Sequence, residues 1–315
     1  MPLCEAVIRG ASASKEVSVN DLQLQRIIKE KAGDDGKVVC RYVPKFPVSA
    51  EREYIRMTGA LMKLVKDELK QGLPEIKKQY VAEYKKSINT DSIFDGFDWL
   101  LVGLFNKMLN RLTEKVTKFG LLERLLGLSV LVRKSAADEW STAVHHALGI
   151  DIRKEYYRGE WYKQGLIDWT KQNAELIQTI PQQSLNEVKE VIREGFVNGQ
   201  RPEKMAKKIQ QRISVNENRA KFIARDQVAK LNAEITKQNQ EDAGCTEYVW
   251  DDSGDERVRA SHHALSGTRQ RWDTPPETEG GRHCHPGEDF QCRCVALPVF
   301  DLNVKLPWET EKGEA

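Results

Sequence analysis

The feature that most constrains the fold is a long stretch of helical periodicity that ends at a glycine. From Ser49 to about Asp242, apolar residues recur mainly at three- and four-residue spacing, as in amphipathic helices. After Gly244 the chain becomes rich in glycine and proline, and only short runs such as "CTEYVW" and "VALPVF" favour strands. The sequence therefore predicts an α+β protein, in which a mostly helical N-terminal region precedes a domain of helices and a small β-containing unit.

Several helix ends can be predicted from local signals. Gly72 and Pro74 predict the end of a first helix, with a second helix over residues 75–86. Pro181 is expected to end the aromatic-rich helical stretch before it. A separate long helix is expected to begin at Asn216. Before the first helix, residues 1 to about 45 lack lasting periodicity, which predicts a loosely ordered arm with a short helix around residues 21–31.

Two unusually apolar helical segments, "FDGFDWLLVGLFNKMLNRL" and "FGLLERLLGLSVLVRK", follow one another in the N-terminal half. One interpretation is a helical hairpin buried in the core. The other is a face over residues Leu100–Leu131 that stays open for a partner, although apolar patches of that size are uncommon on monomers. The sequence leaves both interpretations open.

Composition excludes few classes of function, but it indicates the cellular compartment and the kinds of partner to expect. The 315 residues carry a net charge of +2, which gives no global attraction to nucleic acid or to acidic membranes. No apolar run reaches the roughly 18–20 residues that span a bilayer, and the N-terminus lacks the pattern of a signal peptide. We therefore expect a cytoplasmic protein without a membrane partner, whose cysteines are thiols or metal ligands.

The stretch "HCHPGEDFQCRC", residues 283–294, holds two of the six histidines and three of the six cysteines. A small turn-rich unit buries little surface and often needs an additional cross-link for stability. In a reducing compartment, that cross-link is usually a zinc ion bound by Cys and His. The predicted metal ligands are His262, His285, Cys292 and Cys294. Because the cysteines are one residue apart, a strand would place both thiols on one face. Their spacing differs from common zinc motifs, so packed thiols without metal are the alternative.

Catalytic motifs are weak by comparison. The chain has no P-loop, no G-x-G-x-x-G and no nucleophile context. Histidines together with acidic residues, among them Asp255, Glu256, Glu288 and Asp289, could instead form a metal-dependent nuclease or another enzyme that acts on DNA. A third interpretation is a DNA-binding module that uses the basic helices at residues 201–225, but interspersed acids favour a solvated helix face.

The order of the motifs resembles the Mu F-like family, the minor head (head morphogenesis) proteins of tailed phages. The resemblance covers roughly residues 165–300, through "RAKFIARDQVAKLNAE", "AGCTEYVWDDSGDERVRASHHALSG" and "HPGEDFQCRCVALPVF". Besides the candidate ligands, the positions that match include Arg257, Arg259, Leu265, Gly267, Pro275, Pro276, Gly287, Asp289 and Arg293. The chain departs from many relatives at Asp226–Gln227, where they carry Thr-Glu, and in having His263 beside His262.

The resemblance implies a structural protein of the phage head with no enzymatic activity. Its expected partners are the portal protein, the scaffold or major capsid protein, and packaged DNA. Its expected location is the capsid interior at the portal vertex, after assembly in the host cytoplasm, with a role in genome packaging or ejection. The corresponding division of the chain is a docking or assembly region at 1–165, the Mu F-like domain at 166–300 and a mobile tail at 301–315.

Within that domain we expect a polar cluster that ties the "RVRASH" segment to the "HPGED" loop. A unit rich in glycine and proline needs specific polar contacts to fix its turns. The expected members are Arg257, Arg259 and His262 on one side and Asp289 and Arg293 on the other.

Overall fold

A computed structural model describes residues 31–87, 94–152, 160–252 and 254–303. Nearly all of the short helix expected around residues 21–31, and the tail from residue 304 onward, lie outside the described residues.

The helices are α1 (Val48–Ser87), α2 (Phe94–Thr117), α3 (Leu121–Leu148), α4 (Glu160–Val197), α5 (Pro202–Asp242) and α6 (Ala260–Leu265). The strands are β1 (Lys37–Val39), β2 (Glu247–Asp251), β3 (Arg269–Arg271) and β4 (Val295–Asp301). The predicted α+β class, mostly helical with a small sheet, is confirmed.

The strands form one antiparallel sheet in the order β1-β4-β2-β3. Strand β1 lies before all the long helices, yet it pairs with β4 near the end of the chain, with Val38 opposite Phe300. The described end of the predicted arm is therefore part of the sheet. Three strand residues are too few to show an alternating pattern, so β1 could not be predicted from its own residues.

One hydrophobic core joins the long helices to the sheet. Helix α5 packs against α1, α3 and α4, and the buried side chains of this core extend from Val38 to Phe300. At the sheet end, the rings of Trp140 and Phe300 have centroids 5.9 Å apart. The expected domain boundary at residue 165 falls inside α4, and the core continues on both sides of it.

Two predicted helix breaks are wrong, because Pro74 lies inside α1 and Pro181 lies inside α4. A proline removes one helical hydrogen bond and crowds the carbonyl four residues earlier, but packing along the rest of the helix can offset that cost. Gly72 has a packing role: a Cβ there would lie 2.5 Å from the Met108 sulfur, so glycine permits the close approach of α1 to α2. The expected helix start at Asn216 is also wrong, because one helix, α5, runs without a break from Pro202 to Asp242.

The apolar segments at the start of the bundle form α2 and α3, and most of their large side chains are buried in the core. The hairpin interpretation therefore accounts for most of this surface. The exceptions on α2 are Trp99, which is 81% exposed, and Val102 in the next turn. Among the described residues, no helix combines the length and the apolar character needed to cross a membrane.

Candidate metal centre

The segment between β2 and β4, residues 254–294, forms a loop-rich unit that we call the clasp. It contains α6, β3 and a 3₁₀ turn at Glu279–Gly281. After α6 the chain turns back toward β2 at Gly267. The N–H of Gly267 donates to the Trp250 carbonyl at 2.8 Å, and the turn requires a φ of +76°, which glycine adopts readily. A small second core supports the clasp, with Leu265 packed against it, and consists of Tyr248, Trp250, Trp272, Cys292, Cys294 and Ala296.

Three of the predicted metal ligands meet in this small core. The Nδ1 atom of His262 lies 3.5 Å from the Cys292 sulfur and 3.5 Å from the Cys294 sulfur. All three side chains are buried, and their ligand atoms lie within 4.8 Å of one another. We call His262, Cys292 and Cys294 the trio. The adjacent His263 is exposed and lies 2.7 Å from Asp252, which identifies His262 as the inward imidazole.

The trio stabilises a thiolate without any metal. Hydrogen bonds from Cys294 and then from His262 lower the pKa of Cys292 to about 4, despite its burial. The same Cys292 hydrogen bond, together with burial, raises the pKa of Cys294. The hydrogen bond with Cys292 also raises the pKa of His262, against the effect of burial. These hydrogen bonds therefore favour the thiolate of Cys292, which is the form of cysteine that binds metals and reacts as a nucleophile.

The structure places the fourth predicted ligand, His285, outside the trio. Its Nδ1 lies 2.9 Å from the Tyr248 hydroxyl, and its ring packs against Trp272 with centroids 4.8 Å apart. Its backbone N–H donates to Glu288 at 2.6 Å. Burial is the main cause that lowers the pKa of His285, so its neutral form is favoured. These contacts give His285 a packing role in the clasp.

Part of the expected polar cluster forms around Asp289: Arg259 and His262 are present, and Arg282 joins them. The Asp289 carboxylate is buried and lies 3.8 Å from Arg259 and 3.5 Å from Nε2 of His262. Its closest cation is Arg282, at 2.9 Å, a residue that the sequence analysis did not single out. Although burial raises the pKa of Asp289, the Phe290 N–H and the nearby arginines hold it below its ordinary value.

The other two arginines of the expected cluster lie beside Asp255. Arg293 donates to the Asp255 carboxylate at 2.7 Å and does not pair with Asp289. The backbone N–H of Arg257 donates to the same carboxylate at 3.0 Å. The "DDSGDE" turn and the Cys-Arg-Cys segment are thus joined by a second contact, which the sequence analysis assigned to the wrong carboxylate.

A buried carboxylate on α5 anchors the clasp to the helical bundle. Asp226 accepts the backbone N–H of Gln291 at 3.0 Å and pairs with Lys230, one turn later, at 2.8 Å. Gln291 adopts a left-handed backbone with φ of +54°, and its side-chain amide donates to the Phe222 carbonyl at 3.0 Å. In the sequence, Asp226 stands out only as a departure from relatives, and its i,i+4 spacing to Lys230 is the one local signal of its role.

The remaining motif positions shape the turns. The carbonyl of Pro275 accepts from Nδ1 of His283 at 3.1 Å, and that of Pro276 accepts from the Cys284 N–H at 3.2 Å. Gly287 has a φ of +85°, and its N–H donates to the Cys292 sulfur at 3.4 Å. A Cβ at Gly287 would lie 2.7 Å from the Cβ of Ala233 on α5, so this glycine allows the clasp to rest on the helix.

Replacement of Gly287 by alanine is expected to destabilise the protein more than replacement of Gly254. Both glycines have positive φ, but only Gly287 would clash with another residue, because Gly254 faces open space. The difference in unfolding free energy should be about 1–3 kcal/mol, the usual cost of overpacking. Urea unfolding of the two variants measures it, and equal losses would show that α5 does not restrict the clasp at Gly287.

A cleft of about 660 Å³ borders the trio. Cys292 and Cys294 line it from the clasp, and Ala229 and Ala233 line it from α5. Arginine side chains at 225, 257, 259 and 293 also contribute to its walls, together with the carboxylates of residues 51, 251 and 252. Two residues of the trio therefore line a space that could admit water or a polar group.

Comparisons with known proteins place this region in a family. Residues 186–297 match the model of the family described as "Phage Mu protein F like protein". The chain is also 36% identical over 168 residues to an "Uncharacterized protein" of Haemophilus influenzae, a match that covers 53% of this chain and 37% of that protein. No solved structure matches the chain. The predicted resemblance to the Mu F-like phage head morphogenesis family is therefore confirmed, over a region that runs from within α4 through α5 and the clasp into β4.

Proposed function

We propose that this chain is a minor capsid protein of a tailed phage, which binds the portal protein during procapsid assembly and lies near the packaged DNA. The observation that carries the proposal is the family match over residues 186–297, which contains α5 and the whole clasp. Its location would be the capsid interior at the portal vertex, after assembly in the host cytoplasm. In this role the protein would contribute to genome packaging or ejection and would have no catalytic step.

The N-terminal helices offer the surface for docking. Trp99 is 81% exposed on α2, between Phe97 and Leu101, which are both buried, and Val102 adds apolar surface one turn on. Tryptophan is enriched among the residues that carry most of the energy of protein interfaces. We assign Trp99 as the anchor toward the portal, because its indole is 81% exposed whereas Phe97 and Phe105 of the same helix are buried.

Replacement of Trp99 by alanine is expected to weaken portal binding about tenfold or more, since an interface anchor usually contributes about 2 kcal/mol. The measurement is co-purification of the full chain with the portal protein of the same phage, followed by native mass spectrometry for stoichiometry. Phe222→Ala is the matched control, because it also removes an exposed aromatic ring, but from α5. Loss of binding in Phe222→Ala with normal binding in Trp99→Ala would place the docking face on α5. Failure of the wild-type chain to bind would contradict the portal role.

A second candidate, a metal-dependent nuclease, is favoured by the trio beside the cleft. The match to a family of structural head proteins argues against it. A plasmid-nicking assay on the purified chain, with and without a chelator, separates the two functions. Nicking that disappears in His262→Ala would establish the enzyme, whereas an inactive wild-type protein that binds portal supports the structural role.

A further inference from the structure

We propose that the trio binds one zinc ion through His262, Cys292 and Cys294, and that the fourth coordination position of this ion faces the cleft. The proposal is independent of the portal role, because it rests on the geometry of the clasp alone. It also revises the ligand set expected from the sequence, since His285 is excluded by its contacts with Tyr248 and Trp272.

The sulfur–nitrogen distances within the trio already match those of a zinc site. Zinc binds cysteine sulfur at about 2.3 Å and histidine nitrogen at about 2.0–2.1 Å, and tetrahedral angles then separate sulfur from nitrogen by roughly 3.5 Å. Both sulfur–nitrogen distances in the trio are 3.5 Å. An ion could therefore enter without a large movement of the side chains that bind it.

The donor set selects for zinc among common cations. Two cysteine sulfurs and one imidazole are soft or borderline ligands, whereas magnesium and calcium require oxygen ligands. The Cys-x-Cys spacing directs both sulfurs to one side of the extended chain that leads into β4, and α6 supplies the histidine from the opposite side. Each ligand thus comes from a segment whose backbone is fixed by other contacts.

Asp289 supplies the second contact that a metal-bound histidine usually has. A histidine that binds metal through one nitrogen generally directs the other toward a carboxylate or carbonyl, which fixes the ring. Nε2 of His262 faces the Asp289 carboxylate at 3.5 Å and has no hydrogen bond of its own. Asp289 is itself held by Arg282 at 2.9 Å and by the Phe290 N–H at 2.8 Å. The carboxylate is therefore already in place to orient the imidazole.

The fourth position is open to the cleft. Among the described residues, no further His, Cys, Asp or Glu joins the trio within the same 4.8 Å limit. Cys292 and Cys294 form part of the cleft wall, so cleft water is the natural fourth ligand in the free protein. Three protein ligands with one exchangeable position are typical of zinc sites that bind an added group.

The test begins with the metal content of the full-length chain, purified without chelators and measured by inductively coupled plasma mass spectrometry. We expect stoichiometric zinc in the wild type and its loss in Cys292→Ser and Cys294→Ser. Cys245→Ser is the matched control, because Cys245 is also buried but lies in the helical core. Removal of zinc should lower the thermal midpoint of the wild type and leave those of the two clasp variants unchanged.

A milder variant covers the case in which the cysteine variants fail to fold. Asp289→Asn keeps all three ligands and should weaken zinc binding about 10- to 100-fold, as measured by competition with a fluorescent chelator. The fourth position is tested by replacing zinc with cobalt, whose visible spectrum should shift when azide is added if that position exchanges ligands. A wild-type chain without zinc, and with the same thermal midpoint as the double variant Cys292→Ser/Cys294→Ser, would overturn the site. A cobalt spectrum that azide leaves unchanged would overturn the open position.

Discussion

Replacement of Arg111 and Lys115 together by alanine is expected to destabilise the protein by about 3–5 kcal/mol. Glu68 on α1 is 0% exposed, and its carboxylate is bound only by these two side chains of α2 among the contacts of the described residues. Arg111 donates at 3.0 Å and Lys115 at 2.6 Å. Loss of both would leave a buried negative charge without a cation, which is the most costly way to break a buried ion pair.

The single variants and a charge-free variant define this prediction. Arg111→Ala and Lys115→Ala should each cost less than half of the double variant, because the other cation remains on Glu68. Glu68→Met, which removes the buried charge and keeps the volume, should cost about 1 kcal/mol or less, because Arg111 and Lys115 are 47% and 39% exposed and can be hydrated without it. Lys118→Ala, at an exposed pair with Glu114, should have an effect of at most about 1 kcal/mol. Urea unfolding followed by circular dichroism measures all of them, and a double variant no less stable than Lys118→Ala would contradict the role of the buried charge.

The sequence was sufficient to predict the helices but not their ends. Apolar residues at helical spacing are a property of each segment by itself, so the helical region could be predicted. The β-branched and aromatic runs "CTEYVW" and "VALPVF" likewise indicated β2 and β4, but not β1. Pro74 and Pro181 are strong local signals for a break, yet each lies within a helix whose buried residues continue on both sides, such as Leu69 and Ile76 in α1. Tertiary packing decides between these effects, and a local pattern cannot show it.

The metal centre was predicted in part, for a similar reason. The pairing of Cys292 with Cys294 follows from spacing along one extended segment. The choice of histidine depends on how the chain returns over 30 residues, which brings His262 to the sulfurs and turns His285 toward Tyr248. Two histidines in a loop-rich segment are equivalent in the sequence until the path of the loops is known.

Replacement of Trp250 by alanine is expected to cost about 3–5 kcal/mol of unfolding free energy, the usual range for removal of a buried tryptophan. Trp250 is 0% exposed and lies in the small core of the clasp, where its ring centroid is 5.2 Å from that of His262. The cavity left behind cannot close easily, because β2 is paired on both sides, with β3 and with β4. The loss should therefore loosen the clasp in particular, and expose the thiols of Cys292 and Cys294.

Trp99→Ala provides the matched control, because it removes the same side chain from a position that is 81% exposed. It should change the unfolding free energy by no more than about 0.5 kcal/mol. Urea unfolding gives the free energies, and the rate of reaction with an aromatic disulfide reagent reports exposure of the clasp thiols. Trp250→Ala should react faster than both the wild type and Trp99→Ala, because only Trp250 covers the trio. Equal stability and equal thiol reactivity in the two variants would contradict a packed clasp, since an open clasp could not hold His262 and the two sulfurs at a fixed separation.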